Sequence, residues 1–98
     1  MSVIMVTLAT PNPNGAEANG RYAPAAMEIL TKAGGNRVRK MKVVENLTGD
    51  VTAGAVLMME FPSAEAAKSA LDSDAYKALL PDRAKAYTSL SILLVEDM

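Results

Sequence analysis

Few side chains in this sequence can do chemistry, because it contains no cysteine, no histidine and no tryptophan. Thiolate nucleophiles, disulfides and zinc sites of the Cys/His kind are excluded. A Ser-His-Asp triad cannot be assembled, and a haem cannot be held by a proximal histidine. Acid–base work falls to Asp, Glu, Lys or Tyr, each needing a large pKa shift to act near neutrality. No cofactor and no metal centre is expected.

Five residues remain as candidates for a ligand site: Arg83, Glu60, Tyr22, Tyr76 and Asn12. Arg83 follows Tyr76 and Leu79 at helical spacing, on an apolar stripe, where a guanidinium must meet a carboxylate, a carbonyl or an anionic ligand. The plainer reading is structural, with the stem packed and the head on Glu60, Glu28, a backbone carbonyl or water. Glu60 precedes Phe61 in an apolar run. Turned toward helices it would be a base with raised pKa, whereas near a strand end it is solvated, which is the expected role. Tyr22 and Tyr76 suit a pocket between helices and sheet, their ordinary role being at a core edge with the hydroxyl in water. Asn12 and Asn14 could point into such a pocket, although turn formation in Asn-Pro-Asn-Gly explains both. The methionines, Met5, Met27, Met58 and Met59 among them, would give a soft lining.

The elements that must position these residues follow from pattern. Ser2 to Ala9 is a β-branched and apolar run of strand length, and Thr10 to Gly15 is a loop with two prolines. A helix is expected from Arg21 to Ala33, with Ala23, Ala26, Met27, Leu30 and Ala33 as its apolar stripe. Pro24 should kink it or leave Ala16 to Asn19 as a separate turn. Gly34-Gly35 supplies a left-handed stop. Asn36 to Leu47 reads as the second strand, Thr48-Gly49-Asp50 as a turn and Ala53 to Phe61 as the third strand. Ser63 is the expected N-cap of a helix over Ala64 to Leu71. Asp72-Ser73-Asp74 breaks it, and a further helical stretch places Tyr76, Leu79, Leu80, Arg83, Ala84 and Tyr87 on one face, with Pro81 opening its last segment. Ser89 to Val95 is the last strand.

The order β-α-β-β-α-β predicts an α+β, ferredoxin-like fold, an antiparallel sheet ordered 4-1-3-2 with helices on one face. Strands with one wet face should alternate. Here Ala55 to Met59, Val3 to Val6 and Ile92 to Val95 are apolar in succession, so both faces of the sheet need cover. Sheet-to-sheet pairing into a homodimer is the expected solution. The second strand, with Arg37, Arg39, Lys40 and Lys42, then lies at an edge, where basic residues discourage unwanted pairing. As an anion-binding patch it would be split, Arg37 and Arg39 facing one way and Lys40 and Lys42 the other.

The 98 residues fit one domain, residues 1–98, and a chain of this size gains much from a partner subunit. A net charge of −1 argues against nucleic acid. The strands also lack the aromatic platform with which the related RNA-recognition topology stacks bases. No run approaches the roughly 20 apolar residues of a membrane span. Met1 to Ala9 reads as a strand without a basic leader, so a cytoplasmic location is expected and the Asn46-Leu47-Thr48 sequon is idle.

Several stretches resemble the domain-of-unknown-function 1330 family: Ala33-Gly34-Gly35, Met59-Glu60-Phe61-Pro62-Ser63-Ala64-Glu65-Ala66-Ala67, Asp72-Ser73-Asp74-Ala75-Tyr76, Leu79 to Arg83 and Leu94-Val95-Glu96. The resemblance spans nearly the whole chain and implies a dimeric α/β barrel, in which two ferredoxin-like sheets face each other. Members are uncharacterised bacterial proteins, so it implies no activity. Relatives on the same fold include cofactor-independent monooxygenases, haem-handling enzymes and small-molecule isomerases, an analogy of fold alone. Two departures stand out: Ala70-Leu71 replaces an aromatic pair common in the family, and Asp97 replaces a glycine. The leading expectation is a dimeric protein that binds a small molecule between sheet and helices. A cofactor-independent oxygenase or isomerase, and a structural or assembly protein without a pocket, are the alternatives.

Overall fold

The computed structural model describes residues 2–98. Its elements run β1 (Val3–Pro11), α1 (Ala16–Lys32), β2 (Asn36–Lys42), β3 (Ala55–Phe61), α2 (Ala64–Leu71), α3 (Asp74–Lys77), α4 (Leu80–Ala86) and β4 (Tyr87–Val95). The strands form one antiparallel sheet in the order β2-β3-β1-β4, the ferredoxin-like arrangement the sequence predicts.

Pairing register decides which residues meet the helices, because directly opposed residues share a face. Met5 lies opposite Met59 and Leu94, Thr7 opposite Leu57 and Ile92, and Ala9 opposite Ala55 and Leu90. This is the helix-covered face, and Met5, Met59 and Phe61 are its fully buried side chains. The other face carries Ile4, Val6, Leu8, Val56, Met58, Leu93 and Val95. Leu93 and Val95 are 46% and 44% exposed there, so that face is as apolar as expected and uncovered within the chain.

Several boundaries differ from the sequence reading, each for a local reason. α1 starts at Ala16 and runs through Pro24 without a break. Gly20 and Pro24 are both exposed, so the carbonyl that loses its helical partner has solvent at hand. β2 stops at Lys42 instead of Leu47. Beyond the Val43 N–H, which donates to Gly54 at 2.9 Å, the chain follows Asn46: its Oδ1 accepts from the Thr48 N–H at 3.1 Å and its Nδ2 donates to the Val51 carbonyl. Such local side-chain bonds compete with a strand ladder. The stretch after Asp72 is two short helices instead of one continuous face. Leu80 and Ala84 are exposed, Ala86 is buried, and Tyr87 already belongs to β4.

One correction has functional weight. β2 does not alternate regularly: Arg37 lies opposite Met59, Arg39 opposite Met58, Lys40 opposite Leu57 and Lys42 opposite Ala55, which leaves Val38 as a one-residue bulge. Arg37, Lys40 and Lys42 therefore share the helix-side face, and Arg39 alone among the four turns away.

The caps behave as read. Ser63 Oγ accepts from the Ala66 N–H at 3.1 Å, and Gly34 ends the turn after α1 at φ 99°. Ser73 closes α2 by donating to the Ala70 carbonyl at 2.7 Å and opens α3 by accepting from the Tyr76 N–H at 3.2 Å. Gly15 caps α1 against the end of α4, where a Cβ would lie 2.2 Å from the Lys85 carbonyl oxygen. Gly20, inside α1, faces open space, with nothing within 4 Å of where a Cβ would lie. Gly20→Ala should therefore stabilise the protein by about 0.5–1 kcal/mol. Gly15→Ala should destabilise it by about 1–3 kcal/mol, because backbone must shift. Urea melts of the two variants check this opposition of sign.

Candidate functional site

α1 buries Ala18, Tyr22, Ala26 and Leu30, one residue every four, along the line that faces the sheet. Tyrosine is bulky and the alanines are not, and between this line and the sheet the chain leaves a cavity of about 210 Å³. Met5, Thr7, Leu57 and Ile92 form its floor, and Ala23, Ala26, Met27 and Leu30 its roof. Tyr22, Tyr76, Tyr87 and Asn19 close one side, while Arg37 and Lys40 stand at the β2 edge.

The polar side of the chamber is a connected network. The Tyr22 and Tyr76 hydroxyls are 2.7 Å apart and buried. Arg83 Nη1 donates to the Tyr76 hydroxyl at 3.1 Å, and its guanidinium lies 5.8 Å from the Tyr76 ring centre. The Tyr22 ring meets those of Tyr76 and Tyr87 edge-on at 6.2 and 5.8 Å. Tyr87 donates to Asn19 Oδ1 at 2.8 Å. α4 is held in place by Arg21, whose Nε and Nη2 donate to the two oxygens of Asp82 at 3.1 and 2.9 Å. That fork holds the Asp82 carboxyl below the usual carboxylate range.

Protonation follows from these surroundings. Burial, then the hydrogen bond to Tyr76, pushes Tyr22 far above the ordinary tyrosine range, with the Arg83 charge pulling weakly the other way. Burial likewise raises Tyr87. Tyr22 therefore stays protonated at physiological pH and acts as a hydrogen-bonding group, not as a base. The pair holds two hydroxyl hydrogens, one of which bridges the two oxygens whichever residue donates. Arg83 brings its own hydrogen to Tyr76, so one hydroxyl hydrogen is left over in either arrangement, in a pair whose members both line the chamber.

Three of the five candidate residues, Tyr22, Tyr76 and Arg83, thus come together. Tyr22 and Tyr76 are buried instead of sitting at a wet core edge, and Arg83 engages a phenol instead of Glu60 or Glu28. Glu60 pairs with Ile4 and Asn36 on the face away from the helices and is exposed. Asn12 is occupied by its loop: Nδ2 donates to the Lys85 carbonyl at 3.1 Å and Oδ1 accepts from the Asn14 N–H at 3.0 Å. Sequence reasoning missed Asn19 and Thr7, and placed Arg37 and Lys40 on opposite faces of a split patch. The neighbouring row Asn19, Ala23 and Met27, one residue every four, was the available signal for Asn19, whereas nothing in Arg37-Val38-Arg39 marks a bulge. Among the described residues no cluster of acidic side chains is arranged to hold a metal ion, and no helix is long and apolar enough to cross a membrane.

Solved structures with this arrangement define the class. A protein of unknown function from Rhodopseudomonas palustris matches with a TM-score of 0.84 at 20% identity, over 99% of this chain and 82% of that one. A DABB family protein with a ferredoxin-like fold from Mesorhizobium loti matches with a TM-score of 0.71 at 14% identity, over 99% and 97%. SnoaB, a cofactor-independent oxygenase from Streptomyces nogalater, gives 0.67 at 16%, over 98% and 92%. These likenesses establish a ferredoxin-like fold. Within it, residues 5–98 match the family described as Domain of unknown function (DUF1330), and the chain belongs to that family. No curated protein matches its sequence.

The network predicts unequal costs for removing its two hydroxyls. Tyr22→Phe removes one partner of Tyr76, which keeps Arg83, and should cost about 1 kcal/mol. Tyr76→Phe leaves both the Tyr22 hydroxyl and the Arg83 head without their partner and should cost more, about 2–3 kcal/mol. Chemical denaturation of both variants measures the order.

Proposed function

We propose that this chain, folded as one domain, is a homodimeric protein that binds a small, largely apolar molecule in the chamber between sheet and helices. The observation that carries this is the chamber itself: about 210 Å³ of space walled by Met, Leu, Ile and Ala, with the Tyr22–Tyr76–Arg83 network on one side. Apolar walls with a few fixed polar groups are the ordinary make-up of a small-molecule site. An engineered apolar cavity of about 150 Å³ accepts benzene, so this chamber suits a single ring with a short substituent. The leftover hydroxyl hydrogen suits an oxygen acceptor on that ligand.

The oxygenase- or isomerase-like alternative shares its fold with the Streptomyces nogalater oxygenase. It needs a group able to take a proton at the chamber. Tyr22 is held protonated, and Glu60 is on the opposite side of the sheet, so the geometry supports binding better than acid–base chemistry. A structural role without a pocket fits the chamber least.

Dimerisation is supported by the far face of the sheet, whose Ile4, Val6, Val56, Met58 and Leu93 no helix of this chain covers. The loop between β2 and β3 adds Val44, Leu47 and Val51, which are 94%, 86% and 58% exposed. Contiguous apolar surface of this kind marks an interface, and a second sheet is its natural complement.

Two measurements test these readings. Titration of benzamide, a neutral single-ring probe, into protein with ¹³C-methyl methionine should shift the Met5 and Met27 signals and leave Met98 unmoved. Met5 and Met27 signals that neither this probe nor its carboxylate and short-chain counterparts move would remove the binding reading. Met58→Lys, on the far face opposite Val6, should give monomer or aggregate by light scattering. An unchanged, well-folded dimer would refute the face-to-face arrangement.

A further inference from the structure

The charged side chains in the chamber wall are Arg37 and Lys40, both cationic and both from the edge strand β2. In a regular strand, residues three apart point to opposite faces. The bulge at Val38 removes that opposition and sets both on the side of Met59 and Leu57. Neither is paired with a carboxylate: the ion pairs among the described residues belong to Arg21, Lys32 and Lys77. No Asp or Glu lines the chamber. Arg83 is bonded to the Tyr76 hydroxyl but is not itself part of the chamber wall. The β2 edge of the chamber is therefore positive, with no acidic residue in the wall to neutralise it, and such a cleft concentrates anions.

We propose that the ligand is a small carboxylate with an apolar body, its carboxylate held by Arg37 and Lys40 at the β2 edge and its body in the chamber. The proposal rests on the binding reading above and adds the ligand's charge and orientation. Both cations are exposed, so the carboxylate keeps contact with water while the planar Arg37 fork engages its two oxygens. The body lies against Leu57, Met5 and Met27, and an oxygen at its far end would reach the tyrosine pair. An arginine and a lysine at a sheet edge also discourage strand pairing. That role requires only their charge, whereas the bulge gives them a shared direction.

The test compares benzoate with benzamide, and hexanoate with hexanamide, by methionine-methyl NMR titration at low ionic strength. The acids should bind about fivefold or more tightly than the amides, and the difference should shrink with added salt. The Arg37→Ala/Lys40→Ala double variant should lose this preference and keep its affinity for the amides. Arg39→Ala removes one positive charge on the opposite face of the same strand and should keep the preference, which separates a local site from net charge. Equal binding of acids and amides, or a preference that survives the double variant, overturns the proposal and leaves the chamber as a neutral binding site. Failure of all four probes to shift Met5 or Met27 overturns the binding reading and this proposal with it.

Discussion

A tyrosine hydroxyl removed from water must find a partner, and in this fold Tyr22 finds it in Tyr76, 2.7 Å away. Much of the helical layer is arranged around that contact. Tyr76 can reach Tyr22 only because α2 ends and a new turn starts at Ser73, whose hydroxyl makes both junction bonds. Arg83 reaches Tyr76 from α4, which lies against α1 and is also tied to it by the Arg21–Asp82 fork. Leaving a buried hydroxyl unpaired costs about 1–3 kcal/mol, a large share of the stability of a small domain. The network therefore constrains the helices to one arrangement, and the chamber follows from it. The tyrosine rings fill one end of the space under α1, and the alanines next to them do not fill the rest.

The sheet obeys a second constraint. Its central strands carry apolar residues on both faces, and one layer of helices covers one face. At its edge, β2 resolves a different conflict. A strand with four basic residues within six positions, from Arg37 to Lys42, would ordinarily divide them evenly between the two faces. The extra residue at Val38 directs all but Arg39 to the helix side, and Val38 itself takes the unpaired place, half exposed. Bulges recur at sheet edges beside functional sites because they re-aim side chains without changing composition.

What could be read from the sequence and what could not divides along the same physical line. Local and periodic features were legible: the Ser63 cap, the Gly34 stop and the two-sided apolar strands follow from neighbouring residues alone. Tyr22, Tyr76 and Arg83 were legible as candidates because polar groups on apolar stripes need partners. Their mutual pairing was not, since it depends on how α1 lies across α3 and α4. The opposite orientation of Glu60 was within reach, because Met59 and Phe61 are core and alternation then turns the residue between them outward. The bulge was out of reach. Val38 is neither glycine nor asparagine, and an irregularity of register arises from fitting β2 to β3, not from any residue of β2.

The charge state of the site supports the proposed binding role more than an acid–base one. An arginine drawn out of water usually meets a carboxylate, and the pair is then neutral. Arg83, only partly buried, meets the Tyr76 hydroxyl instead. Its charge would favour ionised Tyr22, yet burial outweighs it and the hydroxyl remains neutral. A site with a buried, neutral Tyr22 and with wall cations that lack carboxylate partners suits the binding proposed above better than proton transfer. It can hold a molecule that brings its own negative charge and an apolar surface, and with that molecule in place the unpaired cations would be satisfied.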